Sequence, residues 1–325
     1  MVRTPLPLLV YNRLDTLQKV WEAIRLAQLK YLFISGDGPK ESQEAVAAVR
    51  RFCETSIDWP CEAHFQWLPT NHGHKQGVLK GIFWFFAQVS EGIVLEDDTL
   101  PIPDFFPFCE ALLEKYRDEP RVGMIGGFNI VPSHYIPYQH DFIRLPLVGG
   151  GWASWRRTWE GYDPDMKDWA HLRKTDFLAR ITRDNRRLKT YLQTQFDRSA
   201  GLGPTYLDSW DFPLTYHFFK KGLLTVFPHT NLIDNMGFGH PAAVNTRASR
   251  LLPEPQPLPL ELPPPPFIYP NLLAEAYLTR TYWNPPLYYR AYLRIKADLA
   301  YGTLWQTFTS RRFWRKAIRI ALGKY

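Results

Sequence analysis

Cysteine is scarce in this chain of 325 residues. Its three cysteines, Cys53, Cys61 and Cys109, form no CxxC pair and no metal-ligand spacing. That excludes a cysteine-built zinc site and a disulfide framework, and the odd count fits a reducing, cytoplasmic setting. Long apolar runs are also missing: none reaches the roughly 18 residues that a membrane helix needs. The start, MVRTPLPLLVYNRLD, has no proper apolar core or cleavage site, so no signal peptide is expected. No internal repeat is present. Basic charge looks plentiful, with a net +7, but it is not spread evenly. Between Arg280 and Lys324 ten Lys/Arg stand against one acid, Asp298, which leaves the rest of the chain close to neutral. A neutral main body argues against nucleic acid as a partner and moves the electrostatic question to the tail.

Hydrophobic residues make up 45% of the chain, enough for a sizeable core, and 12 tryptophans lift the aromatic share to 15%. The length points to one large domain with an appendage. Leu6–Val10 (LPLLV) reads as a buried strand ending at Tyr11-Asn12-Arg13. Residues 15–29 have helical spacing, with Leu17, Val20, Trp21, Ile24 and Ala27 on one face and Asp15 as a candidate cap. YLFIS, residues 31–35, reads as a second strand, stopped by the turn Gly36-Asp37-Gly38-Pro39. Helices over 41–52 and 76–88 alternate with strands over 64–68 and 92–95; a helix over 105–116 and a strand over 122–126 follow. This alternation predicts βαβ units and a mostly parallel sheet. Ligands of such sheets bind beyond the carboxyl ends of the strands. Asn12, Arg13, Asp37, Asn71 and Glu96-Asp97-Asp98 would then share one rim.

The triplet Glu96-Asp97-Asp98 closes the apolar run GIVL. Three adjacent carboxylates repel one another and need either full solvation or a positive partner. A divalent cation meets that need, because Mg2+ and Mn2+ take oxygen ligands and often combine one or two carboxylates with substrate phosphates. A solvated turn with Asp98 capping a bend is the plain alternative. A second block, GGGWASWRRTWEGYDPDM, begins at Gly149. Gly149, Gly150 and Gly151 would let backbone approach a ligand, and Trp152 and Trp155 would offer flat faces to a sugar. A tight loop under core aromatics explains the same residues. In LDSWDF, Asp208 and Asp211 flank Trp210. Either could take a proton from an acceptor hydroxyl, or simply cap a helix.

Four blocks in order now carry a resemblance: PLLVYNRLDTLQKVWEAIR with YLFISGDGPK, the run from Asn71 through GIVLEDDTLPIPDFF to GMIGG, the glycine-tryptophan block, and DSWDF with GLLTVFPHTNLIDNMGFG. Over roughly residues 5–247 the chain resembles bacterial GT-A glycosyltransferases of the family 2-like, or haemolytic-protein HlpA-like, kind. These are distant relatives of N-acetylglucosaminyltransferase I, which also has an EDD form of the DxD motif. The resemblance implies a GT-A fold and an inverting, metal-assisted transfer from a nucleotide-diphosphate sugar, first of all a UDP-sugar, to a glycan, lipid-linked or protein acceptor. It implies that Tyr11, Asn12 and Arg13 meet the nucleotide, that Asp37 hydrogen-bonds the base, that Asn71 belongs to the donor-binding rim, and that Glu96 and Asp97 contact sugar and ribose. Asp98 would bind Mn2+ or Mg2+. Gly150, Gly151 and Trp152 would lie near the donor sugar, with Asp211 as first choice of general base and Asp208 as second. One departure stands out: where the family often ends in GFG…ATHT, this chain reads GFGHPAAVNT, with Asn245 in the histidine's place and His240 nearby as a substitute metal ligand.

The expected organisation is a catalytic domain over residues 1–250, a proline-rich linker or strap over 251–270 and a basic aromatic helical extension over 271–325. In the tail, SRRFWRKAIRIALGKY, Phe313, Trp314, Ile318 and Leu322 fall to one side and the basic residues largely around the other. Such a helix would either lie on an anionic membrane surface or pack on the domain. Two other readings of the chain stay open. One is a catalytically silent sugar-nucleotide-binding module. The other is a nucleotidyltransferase, although LVYNRLDT lacks the glycine-rich phosphate loop of that class.

Overall fold

The computed structural model describes residues 2–40, 42–183, 185–237, 253–259 and 261–283. In β1 (Leu6–Val10), Leu6, Leu8 and Val10 enter one apolar layer and Leu9 another. That is the two-residue period of a strand covered on both faces. The chain continues with α1 (Leu14–Ala27), β2 (Tyr31–Gly36), α2 (Gln43–Thr55), β3 (Glu62–Trp67), α3 (Gly73–Gln88), β4 (Glu91–Glu96), β5 (Thr99–Pro101), α4 (Phe105–Lys115), β6 (Val122–Gly126), β7 (His140–Ile143) and β8 (Trp152–Trp155). Then come α5 (Arg156–Trp159), α6 (Trp169–Leu172), α7 (Phe177–Thr182), α8 (Arg186–Ser199), α9 (Asp211–Lys221), β9 (Leu224–Pro228), β10 (Ile233–Asn235) and α10 (Leu272–Leu278).

The fold is mixed α/β, with an eight-stranded sheet in the order β3-β2-β1-β4-β8-β6-β9-β7. The first four strands are parallel. β8 runs antiparallel between β4 and β6, and β7 runs antiparallel to β9 at the edge. Helices α1, α2 and α4 pack on one face through Trp21, Ile24, Val49, Leu112 and Leu113. Helices α3 and α9 pack on the other through Leu79, Ile82, Phe85, Leu214 and Phe218. Alternation thus sorts the sheet's side chains between two cores: Leu32, Ile34, Ile93 and Leu95 to the first, Phe33 and Val94 to the second.

One expectation changes. WASW is a central strand, β8, with all four residues buried, rather than part of a glycine loop. The run of three glycines before it hid a segment whose neighbours lie far away in sequence. Further along, helices α7 and α8 are separated by Arg183, which takes the left-handed conformation at φ 49°. These helices bury Leu178, Leu188, Leu192 and Phe196 against Trp169 and Tyr216.

The proline-rich segment runs along the domain as a strap. The Gln256 N–H donates to Asn231 O at 2.9 Å, the Leu258 N–H to Asp104 Oδ2 at 2.9 Å, and the Gln139 N–H to Pro263 O at 3.0 Å. Asn271 then caps α10 and donates to Asp141 Oδ2 at 2.7 Å. Prolines cannot donate along such a path, so the domain supplies many of the donors. Among the described residues no helix is long and apolar enough to cross a membrane. His240, Asn245 and residues 284–325, which carry the amphipathic tail, lie outside the described residues.

Candidate active site

The parallel strands β1, β2, β3 and β4 end at Val10, Gly36, Trp67 and Glu96 on one edge of the sheet. Pairing of β1 with β4 sets Leu9 opposite Glu96. The ladder continues one step past the strand, because the Asp97 N–H donates to Leu9 O at 3.0 Å. The loop after β1 therefore faces the acidic triplet across a strand spacing. Thr99 holds the turn: its Oγ1 accepts from the Glu96 N–H at 2.9 Å and donates to Glu96 O at 3.0 Å.

Arg13 supplies the positive partner that the triplet requires. Its Nη2 lies 2.6 Å from Asp97 Oδ1 and its Nη1 lies 2.5 Å from Asp98 Oδ2. The Tyr11 N–H adds a bond to Asp97 Oδ2 at 3.0 Å. Charge-assisted, forked contacts of this kind are the strong ones. Burial raises the pKa of Glu96 to about 8, with the Asp98 charge adding to the rise. Burial also pushes Asp97 up, against the pull of Arg13. Burial and the neighbouring Asp98 charge thus favour the protonated form of Glu96, and one guanidinium bridges Asp97 and Asp98.

From the triplet a chain of polar contacts runs along the rim. Asn71 Nδ2 donates to Tyr11 Oη at 3.4 Å, to Asp37 Oδ2 at 3.1 Å and to Gly38 O at 2.8 Å. The Asp37 carboxylate also accepts the N–H groups of Gly38 at 2.9 Å and His72 at 3.0 Å. Asp37 thus ties the β2 and β3 loops to the start of α3. Asp208 sits at the same helix end, where its Oδ2 accepts the His74 N–H at 3.1 Å. Two carboxylates at a helix N-terminus suit the free N–H groups and the dipole there.

Asp211 opens α9, and burial raises its pKa despite donation from its own and the Phe212 N–H. The Asp211 carboxylate is among the charges that raise the pKa of Glu96, and it lies at the start of α9, facing the N-terminus of α3. The carboxyl therefore lies within electrostatic reach of both β4 and α3.

The structure assigns the glycine-tryptophan block a supporting place. Trp152 is 1% exposed, and its ring packs at 5.6 Å from Trp159 and 6.0 Å from Trp210. No face is left for a sugar, which corrects the stacking expectation; Trp155, 3% exposed, is likewise in the core. An added Cβ at Gly151 would lie 2.5 Å from Leu95 Cδ2, and one at Gly150 would lie 2.9 Å from Ile233 Cγ2. These two glycines serve close packing against β4 and β10. Of the three consecutive glycines, Gly149 alone faces open space. The Tyr162 hydroxyl donates to Trp210 O at 2.9 Å. Trp152, Trp159 and Tyr162 thereby buttress the backbone that carries Asp211. Sequence reasoning missed Tyr162, and it missed Lys75, which is 2% exposed in the first turn of α3 with its Nζ 3.2 Å from Asp165 Oδ1 and 3.4 Å from Tyr206 Oη. The clue to Lys75 was the polar run NHGHK directly after β3.

As they stand, Glu96, Asp97 and Asp98 do not fit a divalent ion. Asp97 and Asp98 are both engaged by Arg13. The β10 segment folds over Asp98, with the Met236 N–H donating to Asp98 O at 2.8 Å. An added Cβ at Gly237 would collide with Asp98 Oδ2. Among the described residues no group of three His, Cys, Asp or Glu side chains could hold a metal.

No protein-family model matches the chain, and no curated protein does. Solved structures similar to it include the mannosyltransferase PcManGT from Pyrobaculum calidifontis in complex with GDP-Man and Mn2+. That match has 14% identity and a TM-score of 0.33 and covers 49% of this chain and 46% of the other. Mouse xyloside xylosyltransferase 1 in its apo form matches at 13% identity and a TM-score of 0.34, covering 70% and 84%. UDP-glucose pyrophosphorylase complexed with UDP-glucose matches at 11% and 0.33, covering 69% and 90%. The chain thus spans less than half the length of PcManGT. The likeness is distant throughout, and the functional reading rests on the site's own residues.

Proposed function

We propose that this rim binds a nucleotide-diphosphate sugar and that the protein transfers the sugar, with inversion, to an acceptor hydroxyl. One observation carries the reading: the polar chain from Asp98 through Arg13, Tyr11 and Asn71 to Asp37, laid across the carboxyl ends of adjacent parallel strands. Asp37 and Asn71 form its nucleoside side, and Asp97 and Glu96 its ribose and sugar side. Arg13 has the forked geometry that recognises a diphosphate. Asp211 takes the proton of the acceptor hydroxyl as that oxygen attacks the anomeric carbon and the nucleoside diphosphate leaves from the opposite face. Burial makes Asp211 a stronger base than an exposed carboxylate, which suits this role. Asp208, committed to the α3 N-terminus, serves positioning instead. A UDP-sugar and an assisting Mn2+ or Mg2+ ion are the donor and cofactor to try first, although Asp97 and Asp98 in their present places are engaged by Arg13.

The test is a thermal-shift panel of nucleotide sugars with and without Mn2+, followed by assay of nucleoside diphosphate release. A donor that binds only the folded chain raises its melting temperature. Release that depends on an added acceptor and falls at least about 100-fold in Asp211→Asn supports the proposal. A panel that gives no shift with any nucleotide sugar defeats it.

A further inference from the structure

The disagreement between the acidic triplet and a divalent ion leads to a statement about Arg13. A metal bound through Asp98 Oδ2 would compete with Arg13 Nη1, which lies 2.5 Å from that oxygen and holds the carboxylate's charge. The same guanidinium holds Asp97 through Nη2, so releasing one carboxylate strains the grip on the other. All three side chains are well shielded, with 16% of Arg13, 2% of Asp97 and 12% of Asp98 exposed. Water therefore screens the pair poorly and does little to loosen it. Arg13 stands just ahead of α1, and its carbonyl accepts the Leu17 N–H at 3.1 Å, so the backbone behind the side chain is fixed.

A diphosphate changes the balance. Placed beside Asp97 and Asp98 it adds negative charge to a pair that one guanidinium already shares. It also offers Arg13 a second forked acceptor. The guanidinium can turn to the phosphates only if another cation takes its place on the carboxylates.

We propose that Arg13 is a resident counter-ion that bars divalent cations from Asp97 and Asp98 until a nucleoside diphosphate draws the guanidinium away. Ion and nucleotide then enter together, and neither binds well alone. The nucleotide half rests on the reading given under the proposed function; the exclusion half does not.

The test is a Mn2+ titration of the full chain, read as free-ion paramagnetic resonance, with wild type, Arg13→Gln and Arg13→Lys, each with and without UDP. A UDP–Mn2+ blank corrects for chelation. Without UDP, wild type should bind Mn2+ at least about tenfold more weakly than Arg13→Gln, a tenfold step corresponding to about 1.4 kcal/mol. Arg13→Lys, which keeps the charge but loses the fork, should fall between them. With UDP, wild type should gain Mn2+ affinity while Arg13→Gln gains little. Equal Mn2+ affinity of wild type and Arg13→Gln in the absence of UDP, tight or weak, overturns the exclusion. Should the glutamine variant not fold, equal affinity of wild type and Arg13→Lys overturns it in the same way. UDP that binds wild type without shifting its Mn2+ affinity overturns the coupling. If no nucleoside diphosphate binds at all, the nucleotide reading of the site fails, while the comparison without UDP still decides exclusion.

Discussion

Gly151→Ala separates packing from ligand contact in the glycine block. The added Cβ would lie 2.5 Å from Leu95 Cδ2, 2.8 Å from Phe105 Cζ and 3.1 Å from Ile233 Cδ1. Ordinary carbon contacts settle at about 3.5–4.0 Å. All three approaches are therefore too close, two of them below 3.0 Å, and all three neighbours are at most 1% exposed and have nowhere to go. Gly151 has no positive φ, so the clash rather than backbone strain sets the cost. Overpacking of this kind costs about 1–3 kcal/mol. For a domain of this size that lowers the melting temperature by about 2–10 °C. Leu95 directly precedes Glu96, so displacement should also reach the acidic turn. Gly149→Ala is the internal control, because its Cβ would meet nothing within 4 Å. Differential scanning fluorimetry of both variants reads the contrast. A Gly151→Ala protein that melts within about 1 °C of wild type but loses nucleotide affinity would refute the packing assignment and return this glycine to the ligand.

Three further outcomes follow from buried groups. Burial and the Lys115 charge lower the pKa of His140 from 6.5 to about 3, and its Nε2 lies 2.8 Å from Tyr116 Oη. Its folded pKa is depressed, so its contribution is complete above pH 6.5 and is lost as pH falls towards 3; at pH 4 the loss is about 3 kcal/mol, and urea melts of His140→Gln should show that much less acid sensitivity. Arg144→Leu leaves the Glu275 carboxylate, 6% exposed and bound by Arg144 N–H at 2.8 Å and Nε at 3.0 Å, without its charge partner. Denaturant melts should show a loss of about 3 kcal/mol for that single change and a smaller loss for Arg144→Leu with Glu275→Leu; a double variant worse than the single would show that the pair itself stabilises α10. Tyr162→Phe should lower turnover more than it lowers stability, since it removes one of two hydrogen bonds on the Trp210 carbonyl behind Asp211 and leaves only that from the Leu214 N–H; unchanged kinetics would remove Tyr162 from the support of the site.

Much of the first half of the fold was legible because strands covered on both faces read as short apolar runs between turn signals. LPLLV, YLFIS and GIVL all fall in the parallel sheet, and of the residues beyond them Tyr11, Arg13, Asp37, Asn71, Asp97 and Asp98 are joined by hydrogen bonds. The second half was less legible for a physical reason. β8 is antiparallel and central, and it borrows both neighbours from distant segments, β4 and β6, so nothing local marks WASW as a strand. The three glycines before it suggested ligand contact, whereas the cores beneath Leu95 and Ile233 demanded their lack of side chains at Gly150 and Gly151. Trp152 followed the same pattern: an aromatic beside glycines is a sugar platform only if its face stays open.

The acidic triplet shows how far topology could have carried the reading. Repulsion among Glu96, Asp97 and Asp98 demanded a cation, and a metal was the first candidate because no base lies near in sequence. Yet a parallel pairing of β1 with β4 brings the residue after each strand end to the same level. Arg13 follows the end of β1 by three positions, and Asp97 and Asp98 follow the end of β4 by one and two. Strand adjacency alone therefore put a guanidinium opposite the two aspartates, and an arginine that long can reach both. A carboxylate cluster at a strand end should accordingly be weighed against the basic residues one strand over before an ion is invoked, because a tethered guanidinium pays no entropy of capture.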